Sequence, residues 1–214
     1  MVVTIYDPLP DPINLERVLS DGRFRQVWTS NECVVKELKP KTTKHIGSLS
    51  FYIPTSLYTR IAYGIRDFNE YERACYERIS AGMPDDMRGS FSVIHEVRRI
   101  RNQSFSIGEL VVDYNGHISK TLRQHGPVSD DYFWTRMSNI VEYMVRRGIP
   151  LLDIGAHNIM VKVFDDGHKI PVFIDYKKMG PQTYPAQFWL RFPGQIERRI
   201  RRRFEKLKGE FKER

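Results

Sequence analysis

The spacing of apolar residues predicts three helices in the chain. The first covers residues 67–79, where one face has its residues at offsets 0, 4, 7, 8 and 11. That face is formed by Phe68, Glu72, Cys75, Tyr76 and Ile79. The second covers 129–147, with a broad apolar face, Ser129 as the expected N-cap and Gly148 as its end. The third begins at Gln195 and carries a stripe made of Ile196, Ile200, Phe204, Leu207 and Phe211.

The segments between these helices have the features of strands. Residues 17–39 predict three strands with turns at 20–22 and 30–32, and 91–100 and 106–114 predict two more. A hairpin is expected over 157–175, with its turn at 165–169. The first 14 residues suggest an extended arm. Residues 39–63 form a mixed insertion in which a short helix is expected near Leu57.

The order of these elements predicts an α+β fold with two lobes. We expect an N-lobe over 1–113, with an antiparallel sheet and one inserted helix, and the arm at 1–14. The C-lobe, over 114–214, is then mostly helical and carries the small hairpin.

Composition excludes several classes of protein. Hydrophobic residues make up 41% of the 214-residue chain and charged residues 28%, as in globular domains. The sequence has no run of about 18 apolar residues, so no membrane span is predicted. The first residues lack the pattern of a secretory signal. The two cysteines, Cys33 and Cys75, cannot build a disulfide framework or a CxxC zinc site. We therefore expect a cytoplasmic protein.

The positive charge lies mainly near the end of the chain. The net charge is +8, and residues 186–214 hold ten Lys or Arg against four Glu. Three interpretations stay open: a packed helix with a solvated basic face, attraction to an anionic membrane surface, and nucleic-acid binding. No base-reading motif supports nucleic acid, so it is the weaker of the two binding alternatives. The membrane alternative places the protein at the inner face of the membrane.

Polar residues stand at a few places along the predicted core elements. Lys36 ends an apolar strand, and Glu72 is the one acid on the apolar face of the first helix. Glu72 is preferred to Glu70 because the residues three, four and seven positions after Glu72 are apolar. Asp153 and Asn158 flank a tight loop, and Asp175 ends the last hairpin strand. Phosphoryl transfer from a nucleotide uses this set of groups.

Three short motifs resemble those of protein kinases. "CVVKELK" resembles the strand with the phosphate-anchoring lysine, "DIGAHN" matches the D-x-x-x-x-N catalytic loop, and "VFID" resembles the strand that presents a metal-binding aspartate. The resemblance implies a protein-kinase-like fold that binds ATP and Mg²⁺. It implies Lys36 on the phosphates with Glu72 as its partner, Asp153 as catalytic base, and Asn158 and Asp175 as magnesium ligands. It also implies nucleotide contacts from Gly22, Arg23 and Asp113.

More narrowly, the chain resembles the bacterial PhoP regulatory network protein YrbL family over roughly 17–207. The similar segments are "DGRFRQVW", "ERACYERI", "YNGHISKTL", "IPVFID" and "FWLRFPGQIERRIRRRF". This resemblance implies an ATP-dependent kinase that phosphorylates a hydroxyl group of an unidentified acceptor.

The chain also departs from the kinase pattern. The nucleotide-covering loop has one glycine, Gly22, and Gly155 stands where the catalytic loop usually has a basic residue. Lys177 replaces the glycine of the metal motif, and the chain after Asp175 is too short for a long activation segment. These departures favour a small molecule or glycan over a protein as acceptor. They also leave open a regulatory pseudokinase that binds nucleotide or a partner, and a membrane- or nucleic-acid-binding module. His157, inside the loop, is interpreted as a surface or hydrogen-bonded histidine.

Overall fold

The computed structural model describes most, but not all, of the chain. It covers residues 3–5, 13–15, 17–21, 25–30, 33–39, 41–46, 49–54, 67–100, 103–149, 153–176 and 194–213. For 3–5, 13–15, 17–21, 25, 30, 41–46 and 49–54 only the backbone is described. The predicted helix near Leu57 and the predicted nucleotide contacts of Gly22 and Arg23 lie outside the described residues, as does Lys177.

Within these ranges the chain forms strands and helices in a mixed α/β arrangement. The strands are β1 (Val3–Ile5), β2 (Ile13–Leu15), β3 (Arg17–Asp21), β4 (Arg25–Ser30), β5 (Cys33–Leu38), β6 (Lys41–Ile46), β7 (Leu49–Pro54), β8 (Ile94–Ile100), β9 (Gln103–Glu109), β10 (Lys120–Thr121), β11 (Ile159–Val163) and β12 (Lys169–Phe173). The helices are α1 (Phe68–Ser80), α2 (Asp85–Arg88), α3 (Leu122–His125), α4 (Asp131–Arg146) and α5 (Gln195–Phe211).

The largest sheet has five antiparallel strands in the order β3-β4-β5-β9-β8. The three strands predicted over 17–39 are confirmed as β3, β4 and β5. Alternate residues of a strand face opposite sides of the sheet. Val35 therefore joins a buried cluster with Phe105 and Ile107 on one face, while its neighbour Lys36 points to the other. Lys36 stands opposite Val27 and Ser106, in the middle of the sheet.

Helix α1 confirms the first predicted helix. Phe68, Cys75 and Ile79 are buried on its inner face, as is Glu72. Asp67 begins the helix, because its carboxylate accepts the Asn69 N–H at 2.9 Å.

Two segments with weak apolar patterns contain strands that the sequence did not predict. The insertion at 39–63 includes the antiparallel hairpin β6–β7, and the N-terminal arm includes β1, which pairs with β2. In the arm the prolines, and in β6 the lysines and threonines, hide the alternation from which strands are predicted. In β7, Leu49, Phe51 and Ile53 do alternate. The segment after α1, expected only to end that helix, forms the single turn α2.

Helix α4 confirms the second predicted helix, but its N-cap is Asp130 and not Ser129. One carboxylate oxygen of Asp130 accepts the N–H of Tyr132 at 2.8 Å and of Phe133 at 3.4 Å. Its second oxygen accepts the Lys169 N–H at 2.8 Å, which joins the helix start to the hairpin. A serine hydroxyl has a single oxygen and cannot divide its bonds in this way. Gly148 ends the helix with φ of 60°, as predicted.

The predicted hairpin is confirmed as β11–β12, which pair antiparallel and form a sheet in the order β10-β11-β12. The third predicted helix is confirmed as α5, with Ile200, Phe204 and Leu207 buried. Helix α5 packs against α4.

The chain divides into two compact units. The first contains residues 1–74 and 93–110, and the second contains 75–92 and 111–214. The second unit thus includes residues from both sides of the β8–β9 hairpin. Across the described part of the chain, no helix combines the length and the hydropathy needed to cross a membrane.

Candidate functional site

In the first unit, Lys36 and Glu72 form a buried ion pair. The Lys36 Nζ lies 2.9 Å from the Glu72 Oε1, although the two residues are 36 positions apart. The Glu72 side chain is 0% exposed and the Lys36 side chain 13% exposed. A buried carboxylate is costly unless a cation or hydrogen-bond donors compensate it, so this pair fixes the lysine ammonium at one place on the sheet.

Asn69 holds the start of α1 against the sheet beside this pair, and sequence reasoning missed it. Its fully buried amide donates to the Lys36 carbonyl at 3.2 Å, and to the carbonyl and hydroxyl of Ser104 at 3.0 and 3.1 Å. The amide therefore joins α1 to both β5 and β9. The only signal in the sequence was an amide on the inner side of a helix, one turn before Glu72.

Arg99 makes a second set of ion pairs, which hold the start of α1. Its guanidinium Nη2 lies 2.8 Å from Glu70 and 3.4 Å from the buried Asp67. Glu70 is thus a surface partner of Arg99, while Glu72 is the inward acid, as the periodicity predicted.

In the second unit, Asp153 and Asn158 stand at the two ends of one tight loop. The Asn158 amide donates to the Asp153 carbonyl at 3.4 Å, and the Asn158 N–H donates to the Gly155 carbonyl at 2.9 Å. Asn158 is buried and Asp153 is half-buried. From α3, the Arg123 N–H donates to the Ala156 carbonyl at 2.9 Å. The loop is therefore held from within and from a neighbouring helix.

Asp175 follows β12. It is next to Ile174, the residue that pairs with Asn158. The Ile174 N–H donates to the Asn158 carbonyl at 3.1 Å, which continues the register of Ile159 with Phe173 by one step. Ile174, which precedes Asp175, and Asn158, which ends the loop that begins at Asp153, thus lie at the same end of the hairpin. Asp175 itself is half-buried.

Tyr176 holds the backbone that carries Asp175, and it was also missed from the sequence. Its side chain is 1% exposed, and its hydroxyl lies 2.7 Å from the Ser92 carbonyl and 2.8 Å from the Phe173 carbonyl. Its ring centroid lies 5.5 Å from that of Tyr76 and 6.4 Å from that of Phe91.

The chemistry of Asn158 and Asp175 fits a magnesium ion. An amide oxygen and a carboxylate oxygen are hard ligands, and Mg²⁺ in nucleotide enzymes takes one or two such groups together with phosphate oxygens and water. The described residues offer no cluster of three or more His, Cys, Asp or Glu that could hold a metal by itself. The donor set therefore suits a metal that arrives with a phosphate ligand.

Asp113 lies apart from these residues and has a structural role. Its Oδ1 accepts the Ser119 hydroxyl at 2.6 Å and the Val163 N–H at 2.9 Å. Val163 is at the opposite end of β11 from Asn158, roughly 16 Å away at about 3.3 Å per residue. The nucleotide contact expected of Asp113 stays a prediction.

Helix α5 has its charges divided between two sides. On one side, Arg201 pairs with Glu142 of α4 and with Glu197 at 2.8 Å, and Lys212 lies 2.7 Å from Asp131. The other side carries Arg199, Arg202, Arg203 and Lys206, which we call the basic surface. Of the ion pairs within the described residues, none involves Arg202, Arg203 or Lys206.

Like charges lie close together on the basic surface. The pKa of Arg199 is lowered by burial and by the charge of Arg203, four positions further along the helix. Such i,i+4 pairs of equal charge destabilise a helix by about 0.2–0.5 kcal/mol. An anion that binds here would relieve this repulsion.

Comparison with known proteins supports the fold only. No protein-family model matches the chain, and no curated protein matches it. Among solved structures, WbdD matches 92% of the chain with a TM-score of 0.54 and 13% identity, and the chain covers 38% of WbdD. The chain therefore shares a fold with part of WbdD.

Two variants of the Mycobacterium tuberculosis PknI kinase domain also match. They cover 78% and 81% of the chain at 14% and 15% identity, with TM-scores of 0.45 and 0.42. The chain spans 61% and 62% of these kinase domains. The PknI scores are too low to support an argument, and the resemblance to the YrbL family stays a prediction.

Proposed function

We propose that the protein is a kinase-like phosphotransferase that moves the γ-phosphate of ATP to a hydroxyl group. The observation that carries this proposal is the buried ion pair between Lys36 and Glu72, 2.9 Å apart with Glu72 fully buried. A lysine fixed by a helix glutamate is the phosphate anchor of kinases. The fit of Asn158 and Asp175 to a magnesium ion, and the loop that joins Asp153 to Asn158, support the same activity.

Each residue then has one role in the transfer. Lys36 binds the α- and β-phosphates, and Asn158 and Asp175 hold Mg²⁺. When bound, Mg²⁺ neutralises charge on the phosphate oxygens. The acceptor oxygen forms a bond to the γ-phosphorus while the bond from that phosphorus to the β–γ bridging oxygen breaks. The hydroxyl proton passes to the Asp153 carboxylate, and the bridging oxygen leaves on ADP.

The acceptor that we propose is a small molecule or a glycan, in line with the YrbL resemblance. Gly22, Arg23 and Asp113 are the further nucleotide contacts in this proposal.

The test is binding and turnover of Mg²⁺-ATP by the full chain. A ligand at 100 times its Kd stabilises a protein by about 2.7 kcal/mol, so saturating Mg²⁺-ATP should raise the Tm. Lys36→Met should abolish that rise, and Asp153→Asn should keep it while lowering the rate of ADP release at least 100-fold, as expected for loss of a general base. Lys120→Met and Asp86→Asn change exposed residues of the same types and serve as matched controls.

The outcomes separate the enzyme from a pseudokinase. A Tm rise without turnover, unchanged by Asp153→Asn, would make the protein a nucleotide-binding regulator. If millimolar Mg²⁺-ATP leaves the Tm unchanged, both alternatives are wrong.

The one-sided charge of α5 favours a second function for the basic surface, which is binding to an anionic membrane. We propose that this surface holds the protein at the inner face of the membrane, in the cytoplasm. The anionic surface would attract the protein by about 1 kcal/mol for each basic residue near it. Nucleic acid is the weaker alternative because no base-reading motif accompanies the charge.

Vesicle co-sedimentation tests the membrane function. The protein should bind phosphatidylcholine vesicles that contain phosphatidylserine, lose binding as salt rises, and ignore pure phosphatidylcholine. Arg202→Glu with Lys206→Glu should abolish binding, and the charge-matched pair Arg88→Glu with Lys120→Glu should not. Binding to a DNA duplex but not to anionic vesicles would favour the nucleic-acid alternative instead.

A further inference from the structure

The loop between Asp153 and Asn158 is folded so that the His157 ring lies over Gly155. The turn is closed by the hydrogen bond from the Asn158 N–H to the Gly155 carbonyl and is held from outside by Arg123. His157 is exposed, and its ring atoms lie next to Gly155.

A side chain at position 155 would require the His157 ring to move from its present place. A Cβ atom at position 155 would lie 2.9 Å from Cε1, 3.3 Å from Nδ1 and 3.6 Å from Nε2 of His157. Real Cβ atoms do not approach other heavy atoms to under 3.0 Å. The imidazole therefore occupies the space through which a side chain at 155 would leave the backbone.

The backbone conformation does not explain the glycine. Gly155 is not among the glycines with positive φ, which in the described residues are 82, 116, 126, 148, 167 and 194. Its φ lies outside the left-handed range that favours glycine, so the contact next to the glycine is the ring of His157. A side chain at position 155 and the present position of the His157 ring therefore exclude each other.

We propose that the His157 imidazole replaces the basic side chain that the resembled catalytic loops carry at position 155. A ring N–H donates a hydrogen bond to an oxygen of the phosphoryl group in transfer. This inference rests on the proposed phosphotransferase function. Either neutral tautomer of imidazole has one N–H, so the donor is present without a change of charge. A donor fixed near oxygens that gain charge in the transition state raises kcat, typically 10²–10³-fold.

The experiment uses the full chain and ATP hydrolysis, with water as the acceptor and ADP release as the signal. His157→Ala should lower kcat at least 10-fold and leave both KM and the Tm rise with Mg²⁺-ATP unchanged. A purely structural role would change the Tm or KM as well. His157→Gln, which keeps an N–H donor, should recover part of the rate. His95→Ala removes an exposed histidine from strand β8 and should behave as wild type.

A double-mutant cycle tests the link between the two residues. Gly155→Ala should lower kcat because the new methyl group displaces the ring, and it should have no further effect in the His157→Ala background. Gly155→Lys combined with His157→Ala places a cation at position 155, as in the resembled catalytic loops, and should recover activity. The His157 ring resonances, assigned by their loss in His157→Ala, should shift when wild type binds a non-hydrolysable ATP analogue with Mg²⁺.

Each result decides a different question. If wild type hydrolyses ATP and His157→Ala retains the full kcat, the role of His157 is wrong and the phosphotransferase function stands. Additive effects of Gly155→Ala and His157→Ala would also overturn the inference. If wild type neither binds nor hydrolyses ATP, the proposed function fails and the inference fails with it.

Discussion

The contact between Lys36 and Glu72 affects stability as well as the chemistry that we propose. Glu72 is fully buried on α1, and the ammonium of Lys36 lies 2.9 Å from its carboxylate. Removal of one partner from a buried ion pair usually costs more than the pair contributes, because the remaining charge stays in a poorly solvated place. The residue that we propose as phosphate anchor is therefore also needed for the fold of its own unit.

Lys36→Met should lower the free energy of unfolding by about 3 kcal/mol, measured by urea denaturation. Adding Glu72→Gln removes the buried charge and should recover part of that loss. Lys120→Met, at an exposed site, should change stability by less than about 0.5 kcal/mol. A double variant less stable than Lys36→Met alone would contradict this account.

Elements of the fold differ in how much space they leave for a side chain. At Gly108 in β9, a Cβ would lie 2.7 Å from the Val93 carbonyl oxygen, a backbone atom beside the bulge between Ile94 and Glu96. At Gly209 in α5, a Cβ would meet no atom within 4 Å, and the position is exposed. Identical substitutions at these two glycines should therefore have opposite signs.

Gly108→Ala should destabilise the protein by about 1–3 kcal/mol, because the strand pair must separate to admit the methyl group. Thermal or urea unfolding measures this cost, and a wild-type Tm would show that the β8–β9 bulge adapts.

Gly209→Ala should stabilise the protein by about 1 kcal/mol, since alanine is the better helix former at an exposed helical position. The same unfolding measurement checks it, with the Gly108→Ala variant as its counterpart. A lower Tm would mean that the α5 helix does not continue through position 209.

At the scale of the whole molecule, part of the positive charge of α5 is paired with acids of α4. Hydrogen bonds and charge from Arg201 hold the pKa of Glu142 below its ordinary range, and Lys212 does the same for the pKa of Asp131. Both acids therefore contribute stability that is complete above the ordinary carboxyl pKa. As pH falls below about 4.3, the unfolded chain takes up protons first and this contribution is lost.

The variant Glu142→Gln should thus have a slightly lower Tm than wild type at neutral pH, and the difference should disappear as the pH falls through the lowered pKa. High salt should also reduce the difference, because the pair is exposed to solvent. A difference that grows in acid would show the opposite pKa shift.

Elements with regular apolar spacing could be predicted from the sequence. Contacts between residues that are far apart in the sequence could not. Helices α1, α4 and α5 were predicted because their apolar spacing is regular over a dozen or more residues, and the β11–β12 hairpin because two apolar runs flank the turn at 165–169. The inward direction of Glu72 followed from the same spacing. The hairpin β6–β7 was missed because β6 is rich in Lys and Thr and has no apolar alternation, although Leu49, Phe51 and Ile53 alternate in β7.

The supports of the candidate site could not be read from the chain. Asn69, Tyr176 and the cap Asp130 act through partners that are 33 or more residues away, such as Lys36, Ser92 and Lys169. Local patterns carry no information on such pairs. The place of the His157 ring over Gly155 likewise depends on the turn geometry, so the sequence alone suggested that a basic group had been lost.

The anchoring of Tyr176 has a consequence for how the protein can be controlled. To swing Asp175 out of place, the chain would have to expose a ring that is now 1% exposed and break the bonds of its hydroxyl to Ser92 and Phe173. Exposing a buried aromatic ring costs about 1.5–3 kcal/mol even before those hydrogen bonds are counted. An inhibitor that must first displace this segment would lose at least tenfold in affinity to that cost. A switch that works by moving Asp175 is therefore costly at this strand end.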